Sequence, residues 1–413
     1  MSSSLVSKFA LRSLGRNIRR TILSVAGVGI GCTVALFLTA FVRGSNELRI
    51  RSIADSGFGH ARIAPATWEK QRDNDLRLQN GVRDLAVLQG TEGVKVAAPH
   101  SRITALLAFG TRVIGVEMLG VDPQMEALLN RVVRTVSEGR YLRADDRDAV
   151  VIGSVIADRL EVTIDDDLFM TVVDHAGQMQ YAMVRIVGIA HTGSKELDTG
   201  ICHISLDDVE RLTGYAGSAE ISITFDDPLS IDEMVAQIEG ELPTGDIILP
   251  WNEVLPAQGG DAASDQGFMR LLSIIVVVVV ILGITSAQLT AMLERRREFA
   301  VLMALGMKDL QVIRLVTIEA LVLGLMGAVA GLLMATPLVY YTATNGIDFS
   351  AMVEGDFAIE GVLFDPILYT DLGYWMVPHA LIIAIVSTLV SALYPAWFAI
   401  RTDPTSALSL REA

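Results

Sequence analysis

The side chains best suited to catalysis or metal binding are scattered along this chain. Aspartates at 165–167 resemble the start of a calcium-binding loop, but the glycine and the distal glutamate of such a loop are missing. Cys32 lies in an apolar run and Cys202 in the polar segment, so the two are not expected to pair. No group of histidines and cysteines has the spacing of a zinc site. His191 and His203 could meet, but a hydrogen-bonded or solvated histidine is the favoured interpretation of each. We therefore predict no catalytic residue, no metal site and no enzyme activity on this chain.

A nucleotide site is also missing from the sequence. No Gly-x-x-x-x-Gly-Lys-Ser/Thr stretch is present. The glycines at 27, 29 and 31 lie in an apolar run, without the strand–turn–helix context of a dinucleotide-binding loop. If the protein uses nucleotide energy, another chain must bind the nucleotide.

The most distinctive stretch, Glu294–Met307, lies between two apolar runs. Arginines at 295–297 are flanked by Glu294 and Glu298, and apolar residues follow at helical spacing until Gly306, where a helix C′ glycine is common. A basic amphipathic helix of this kind can lie on lipid or offer its exposed side to a protein. A lipid-binding patch has no need of the glutamates, so the mixed charge favours a protein neighbour.

Composition indicates apolar spans joined to an acidic domain. The chain has 413 residues, of which 51% are hydrophobic and 20% charged, with a mean hydropathy of +0.45 and a formal charge of −15. The hydropathy exceeds that of an ordinary soluble domain. Nucleic-acid partners are disfavoured, since phosphate binding needs a basic face.

Four uncharged or nearly uncharged apolar runs are long enough to cross a bilayer. The first is favoured as an uncleaved span over a signal peptide, because it is longer than a usual signal-peptide core and no clear cleavage site follows it. Strand and helix signals alternate in the long polar segment after it, which predicts an α+β domain. The predicted divisions are an amphipathic N-terminal helix at 1–20, spans at 21–43, 268–293, 313–341 and 376–400, a polar domain at 44–267, loops at 294–312 and 342–375, and a tail at 401–413.

Basic residues set the predicted orientation. The first 20 residues carry five of them, whereas the acidic 342–375 loop has no lysine or arginine. Because cytoplasmic loops are enriched in lysine and arginine, both termini and the 294–312 loop are predicted to be cytoplasmic. The α+β domain and the 342–375 loop would then lie outside the cytoplasm.

The third span carries small residues at the spacing of a helix-packing motif. Gly324, Gly327 and Gly331 include a Gly-x-x-x-Gly pair, which allows close approach of two helices, within the chain or across a dimer. Glu319 lies on the same span near its predicted cytoplasmic end. A buried membrane acid would indicate function, whereas snorkelling or pairing with Arg314 is an adequate structural explanation.

A series of different short motifs follows a characteristic order along nearly the whole chain. The most specific are Glu294–Gly306 and the closing Tyr394-Pro395-Ala396. Others are Ala10–Thr21, Gly120–Pro123, Glu138–Leu142, Val151–Ser154, Val187–Ile189 with Thr192, Gly193 and Asp198, Trp251–Pro256, Pro404, Ala407 and Leu408. With these motifs the chain resembles the MacB/FtsX-type permeases of ABC transporters, and in particular the separate-chain permeases of the lipoprotein-release (LolC/LolE-like) group.

The resemblance implies a membrane protein with four transmembrane helices and a large extracytoplasmic, MacB-like α+β domain between the first and second. It also implies a dimer with a second permease copy or paralogue, and a separate ABC ATPase that holds the ATP and magnesium. The helix between spans two and three couples to that ATPase in this family. Carried over to this chain, the coupling residues are Glu294, Arg295, Arg296, Glu298, Phe299, Leu302, Ala304 and Gly306.

The family transmits ATP-driven motion of the spans to the outer domain. For this chain the resemblance implies a place in the bacterial inner membrane and release of lipoproteins toward the outer membrane, with a lipoprotein cargo or a periplasmic partner. Two alternatives stay open. One is MacB-like efflux of peptides or small molecules, and the other is FtsX-like regulation of cell-wall hydrolases.

Overall fold

A computed structural model of the chain describes residues 18–67, 76–242, 245–294, 301, 307–350, 357–359 and 362–400. The chain divides into two compact units. Of the described residues, the helical unit comprises those within 18–45, 264–347 and 369–400, and the α+β unit comprises those within 46–263 and 348–368.

The helices are numbered in chain order. They are α1 (Ile18–Asp55), α2 (Gly81–Gly90), α3 (Pro123–Leu129), α4 (Ser154–Leu160), α5 (Lys195–Gly200), α6 (Leu206–Thr213), α7 (Ile231–Glu239), α8 (Trp251–Val254), α9 (Pro256–Glu294), α10 (Asp309–Asn345) and α11 (Met376–Ile400). Short 3₁₀ helices lie at Arg131–Thr135 and Pro228–Ser230.

The strands are numbered in the same way. They are β1 (Ala61–Pro65), β2 (Val94–Phe109), β3 (Arg112–Val121), β4 (Val136–Gly139), β5 (Ala149–Gly153), β6 (Asp167–Val173), β7 (Met179–Ala190), β8 (Cys202–Ser205), β9 (Glu220–Phe225), β10 (Asp246–Pro250), β11 (Ile347–Asp348), β12 (Phe357–Ile359), β13 (Val362–Phe364) and β14 (Ile367–Leu368).

Four of these helices, α1, α9, α10 and α11, are long and apolar enough to cross a membrane, as the apolar runs predict. Three of them continue beyond the predicted runs. Helix α1 reaches Asp55, α9 begins at Pro256 and α10 extends from Asp309 to Asn345. Pro337 lies inside α10, and membrane helices tolerate proline because neighbouring groups re-satisfy the freed backbone.

Small side chains fill the interior of the helical unit. One buried cluster includes Val28 and Cys32 of α1 with Ala328 of α10 and Ala384 of α11. Hydroxyl groups bond to backbone carbonyls across this interior: Ser391 Oγ donates to the carbonyl of Ile281 at 3.0 Å and so joins α11 to α9. Close approach and backbone hydrogen bonds therefore hold these helices together, as in other membrane bundles.

A polar cluster closes one end of the helical unit. Arg43 Nε donates to Asp371 Oδ2 at 2.5 Å, and the Arg43 guanidinium lies over the ring of Trp375, 5.1 Å from its centroid. The hydroxyls of Thr342 and Thr370 bond at 2.7 Å. These contacts tie Arg43 of α1 and the end of α10 to the segment that leads into α11.

Six strands of the α+β unit close into a barrel in the order β2-β3-β8-β5-β7-β6 and back to β2. Closure depends on the length of β2, because residues 105–108 pair with β6 whereas residues 94–100 pair with β9. Alternate side chains point inward, as barrel strands require. Leu107, Met118 and Ile152 are among the fully buried side chains of this core.

A second lobe grows from the first half of β2. There β9, β1 and β10 continue the sheet in antiparallel pairs. Helices α2 and α7 cover one face: Leu88, Met234 and Ile238 bury against strand residues such as Ile63 and Phe225. The α+β unit therefore has two cores that share the long strand β2.

The segment between α10 and α11 contributes to the α+β unit. Strands β12 and β13 form a hairpin, and Leu363 is buried in a cluster with Val121, Val132 and Ala190. The Leu363 N–H donates to Ser56 Oγ at 2.9 Å. Leu363, in a stretch that the sequence indicates only as an acidic loop, thus belongs to the core of this unit.

Candidate functional site

Most of the predicted coupling stretch lies outside the described residues. This applies to Arg295, Arg296, Glu298, Phe299, Leu302, Ala304 and Gly306. Of the predicted coupling residues, the structure describes Glu294, the last residue of α9. Near the two ends of the stretch, Met292 of α9 is buried in one cluster with Val312 and Leu315 of α10. The helices on either side are therefore packed together, and the coupling role of the stretch stays a prediction.

The three glycines of the third span face other helices of the same chain. A Cβ placed on Gly331 would lie 2.5 Å from the Cβ of Cys32 and 3.0 Å from the Gly29 carbonyl oxygen. Gly327 meets Val28 of α1 in the same way, and Gly324 meets Thr388 of α11. The small residues thus allow α10 to approach α1 and α11 closely, while their role in a dimer stays a prediction.

Glu319 is half-buried on α10, five residues before Gly324, and Arg314 is exposed. Glu319 makes an interaction within the chain. A functional role for this carboxylate is untested and stays a prediction.

An apolar cavity of about 690 Å³ lies between α1 and α9 within the helical unit. Its volume falls within the roughly 300–1,000 Å³ of typical ligand pockets. Gly31 and Val280 line it at a point where α1 and α9 are in close contact, because a Cβ on Gly31 would overlap the Val280 side chain. Elsewhere the cavity is open: a Cβ on Gly27 or Gly283 would have nothing within 4 Å. The other lining residues include Leu23, Ser24, Ile30, Val34, Ile275 and Val279.

The α+β unit contains a buried ion-pair network that the sequence did not indicate. Glu220 is almost fully buried and accepts a hydrogen bond from Arg102 at 3.0 Å, and Arg62 lies 3.1 Å from its other oxygen. Burial would raise the pKa of Glu220, but Arg62 and Arg102 together lower it to about 2. Glu220 is therefore an anion at neutral pH, and it links β9 to β1 and β2.

The histidines of the α+β unit divide into buried and exposed ones. The Nδ1 of His60 accepts the Phe225 N–H at 3.0 Å, and His203 Nδ1 lies 2.8 Å from the Tyr141 hydroxyl. Burial lowers the pKa of both imidazoles to about 4. His191 is exposed and contacts Ser154 and Asp198 instead of His203. No group of three metal-ligating side chains occurs among the described residues.

Two family models together match most of the chain. The FtsX-like permease C-terminal model matches residues 270–404, and the MacB-like periplasmic core domain model matches residues 21–241, more than half of the chain. This chain belongs to the MacB/FtsX permease family. It is an ABC transporter permease, as its motifs suggested.

Relatives match this permease at low identity but over long spans. The lipoprotein-releasing system transmembrane protein LolE of Haemophilus influenzae is 22% identical over 94% of this chain and 93% of its own length. The corresponding LolC of Xylella fastidiosa is 21% identical over 93% and 92%. The macrolide export ATP-binding/permease protein MacB of Hyphomonas neptunium is 24% identical over 82% of this chain and 54% of its own length.

Among solved structures, the periplasmic region of MacB from Actinobacillus actinomycetemcomitans is similar to this permease. It has 14% sequence identity and a TM-score of 0.35, and it covers 50% of this chain and 94% of its own.

The two family matches divide the permease by element. The MacB-like match includes most of α1 and the whole six-stranded barrel, whereas the FtsX-like match includes the apolar part of α9 and then α10 and α11. The predicted coupling stretch lies inside the FtsX-like match, in the connection between α9 and α10. Both predicted domain types are thus present in the predicted order.

Proposed function

We propose that this permease releases lipoproteins from the bacterial inner membrane, driven by a separate ABC ATPase. The observation that carries the proposal is the match along almost the full length of two lipoprotein-releasing transmembrane proteins. The apolar cavity between α1 and α9 supports it, since a lipid-anchored cargo needs an apolar surface as it leaves the bilayer.

The cavity has a defined energetic role in this proposal. Moving an acyl chain into water costs roughly 0.8 kcal/mol for each CH₂ group, so a long chain does not leave the bilayer unaided. Moving the same chain from lipid into an apolar cavity costs little, because both surroundings are apolar. The cavity therefore holds the anchor, and the ATPase supplies the work that removes it from the membrane.

The proposed arrangement follows the positive-inside rule. Both termini and the stretch Glu294–Gly306 face the cytoplasm, and the α+β unit faces the periplasm. The ATPase docks on the stretch and binds ATP and magnesium itself. A second copy or a paralogue of the permease completes the complex. Surrounding lipids contact the outer faces of the helices.

The lipid-holding role is tested by filling the cavity. Gly27→Leu and Gly283→Leu add bulk where a new side chain has open space around its Cβ, so neither change forces the helices apart. Gly267→Leu is the matched control, because it lies on the same helix as Gly283, has equally open space and does not line the cavity. The assay measures release of a fluorescently labelled triacylated lipoprotein from proteoliposomes that contain the permease and its co-purified ATPase.

We expect release to fall by about tenfold in the two filled variants, the effect of roughly 1.4 kcal/mol, and to be unchanged in the control. Unchanged release in both filled variants would remove the cavity from the mechanism. A wild-type complex that hydrolyses ATP without releasing any lipoprotein would overturn the proposed function itself.

ATPase docking is tested on the stretch directly. Arg296→Ala, Glu298→Ala and Phe299→Ala are made singly, and the amount of ATPase retained on the purified permease is measured with its hydrolysis rate. We expect each change to weaken retention, since charged and aromatic side chains dominate protein interfaces. Wild-type retention and stimulation in all three variants would exclude the stretch as the docking site.

MacB-like efflux is the second candidate, because the MacB-like domain model and a macrolide exporter both match this permease. It makes a different prediction in the same proteoliposomes. Soluble peptides or small hydrophobic molecules, rather than a triacylated protein, would stimulate ATP hydrolysis. A regulator of cell-wall hydrolases, the FtsX-like alternative, would instead bind a hydrolase and respond to neither cargo.

A further inference from the structure

The end of α1 packs against a small set of buried side chains inside the α+β unit. Helix α1 runs without a break from Ile18 to Asp55, and Ser56 then forms an isolated antiparallel bridge with Asn130. Gly57 follows with a φ of +90°, a conformation that suits glycine. A long helix is a stiff element, so the contacts at its end determine where its displacement goes.

Asn130 is packed directly against this turn. A Cβ on Gly57 would lie 2.5 Å from the Asn130 Nδ2 and 3.5 Å from Glu126 Oε1. Ser56 Oγ in turn accepts the N–H of Leu363 at 2.9 Å and donates to the Ser52 carbonyl at 2.7 Å. Three separate segments therefore meet within two residues of the helix end: α1 itself, the connection after α3, and the hairpin β12–β13.

Behind Asn130 lies a buried hydrogen-bonded series that ends in the sheet. Asn130 Nδ2 donates to Glu126 Oε1 at 2.7 Å, and the other carboxylate oxygen accepts from His100 Nε2, also at 2.7 Å. His100 lies on β2, and its Nδ1 is 3.2 Å from the hydroxyl of Ser222 on β9. His100, Glu126 and Ser222 are fully buried, and Asn130 is 5% exposed.

The series is stiff because its central group is a buried anion. Burial would raise the pKa of Glu126, but the neighbouring His100 lowers it, with the Asn130 hydrogen bond contributing. A buried carboxylate that loses a donor is strongly destabilised, so Glu126 holds Asn130 and His100 in place. The same Asn130 side chain accepts the Val132 N–H at 2.8 Å and so fixes the 3₁₀ turn that follows α3.

We propose that Asn130 is the positioning residue of a joint that passes displacement of α1 to the barrel and to the hairpin β12–β13. This inference rests on the proposed function, in which movement of the spans must reach the α+β unit. The side of Asn130 facing Gly57 contacts the helix end. Its other side, through Glu126 and His100, contacts β2, the strand that belongs to both the barrel and the second lobe.

The test compares two side-chain deletions on the same helix. Asn130→Ala removes the joint. Asp122→Ala removes the side chain that caps the other end of α3, where Asp122 Oδ1 accepts the N–H groups of Gln124 and Met125 at 2.9 and 3.2 Å. Both variants lose side-chain hydrogen bonds to backbone N–H groups, but only Asn130 lies at the end of α3 that packs against Gly57. Full-length permease with its co-purified ATPase is used, in proteoliposomes.

Two quantities are measured. The first is labelled triacylated lipoprotein released for each ATP hydrolysed. The second is amide exchange with and without ATP and vanadate, at Leu363 and in β5 of the barrel. In Asn130→Ala we expect ATP hydrolysis near the wild-type rate, about fivefold less release per ATP, and loss of the nucleotide-dependent exchange change in β5. Asp122→Ala should retain both.

Each other outcome is decisive. Equal losses in the two variants would show a general weakening of α3 and overturn the joint. Faster exchange at Leu363 in Asn130→Ala with unchanged release per ATP would also overturn it. If the wild-type complex released no lipoprotein, the proposed function would fail, and the exchange in β5 would still decide whether Asn130 transmits the nucleotide signal.

Discussion

The helical unit and the α+β unit hold their elements together by different means. In the helical unit, glycines such as Gly331 let backbones approach, and hydroxyls such as Ser391 bond to carbonyls of neighbouring helices. In the α+β unit, two aliphatic cores lie beside a network of buried charges centred on Glu220. Close packing at glycines is therefore characteristic of the helical unit, and paired charged side chains are characteristic of the α+β unit.

The difference follows from the surroundings of each unit. Lipid is as apolar as a leucine side chain, so burying more hydrocarbon between membrane helices gives little, and close contact with hydrogen bonds carries the association. In water, apolar burial drives folding, and removing one partner of a buried ion pair leaves an uncompensated charge in the interior. Substitutions should therefore act through steric fit in the first unit and through unpaired charge in the second.

The largest expected effect is in the α+β unit. Glu220→Ala removes the buried carboxylate that pairs with both Arg62, which is 3% exposed, and Arg102. We expect the unit to lose about 3–5 kcal/mol of stability, the usual consequence of breaking one side of a buried pair. Native-state amide exchange of β9 and β1 in the detergent-solubilised chain measures the loss.

The control for that prediction uses the same network at its exposed edge. Glu117 accepts from Arg102 at 2.8 Å but is 64% exposed, so Glu117→Ala should cost less than about 1 kcal/mol. If both substitutions had equal effects, burial of the charge would not be what makes Glu220 important, and the comparison between the units would lose its basis.

The second prediction concerns pH and is confined to the α+β unit. Burial lowers the folded-state pKa of His60 from 6.5 to about 4, so the unfolded chain binds a proton that the folded chain does not between those values. The contribution of His60 to the free energy of unfolding is therefore fully present above pH 6.5. It decreases by up to about 3 kcal/mol as the pH falls toward 4. His203, with a pKa also lowered to about 4 by burial, adds a loss of the same sign.

His60→Gln isolates the contribution of one histidine. A glutamine can still accept the Phe225 N–H but does not titrate, so the exchange-derived stability of β9 should depend less on pH than in the wild type. The comparison is made between about pH 7 and pH 4.5, where the carboxylate of Glu220 stays ionised because its pKa is about 2. An unchanged slope would mean that His60 is not the group being titrated.

How much of this could be predicted from the sequence differs between the units. The four spans are readable because long apolar runs have few other structural solutions, and four helices among the described residues are long and apolar enough to cross a membrane. The ends of these helices cannot be read in the same way. Helix α1, for example, continues to Asp55 through polar residues, where hydropathy no longer indicates a helix. The spacing of Gly324, Gly327 and Gly331 indicates a packing face, but spacing alone does not name Cys32, Val28 and Thr388 as the neighbours.

The α+β unit was less predictable, because its organisation depends on distant pairings. Alternating signals place most strands, yet closure of the barrel needs residues 105–108 to pair with β6, more than sixty residues away. Acidic residues in an acidic chain look alike in sequence, so buried and paired ones such as Glu126 and Glu220 could not be distinguished from the solvated ones.

The smallest effect is expected in the helical unit, where two glycine substitutions should have opposite signs. Alanine is preferred to glycine inside a helix by about 1 kcal/mol, so Gly27→Ala, with nothing within 4 Å of the new Cβ, should be neutral or stabilising. Gly331→Ala gains the same preference but places its Cβ 2.5 Å from that of Cys32, which forces α1 and α10 apart. Overpacking of this kind typically costs about 1–3 kcal/mol, so the net change should be destabilising. The midpoint of unfolding in SDS measures both variants in the same detergent. If both alanine variants were more stable than the wild type, helix propensity would outweigh the close approach of α10 to α1. The stability of the helical unit would then not depend on glycine at position 331.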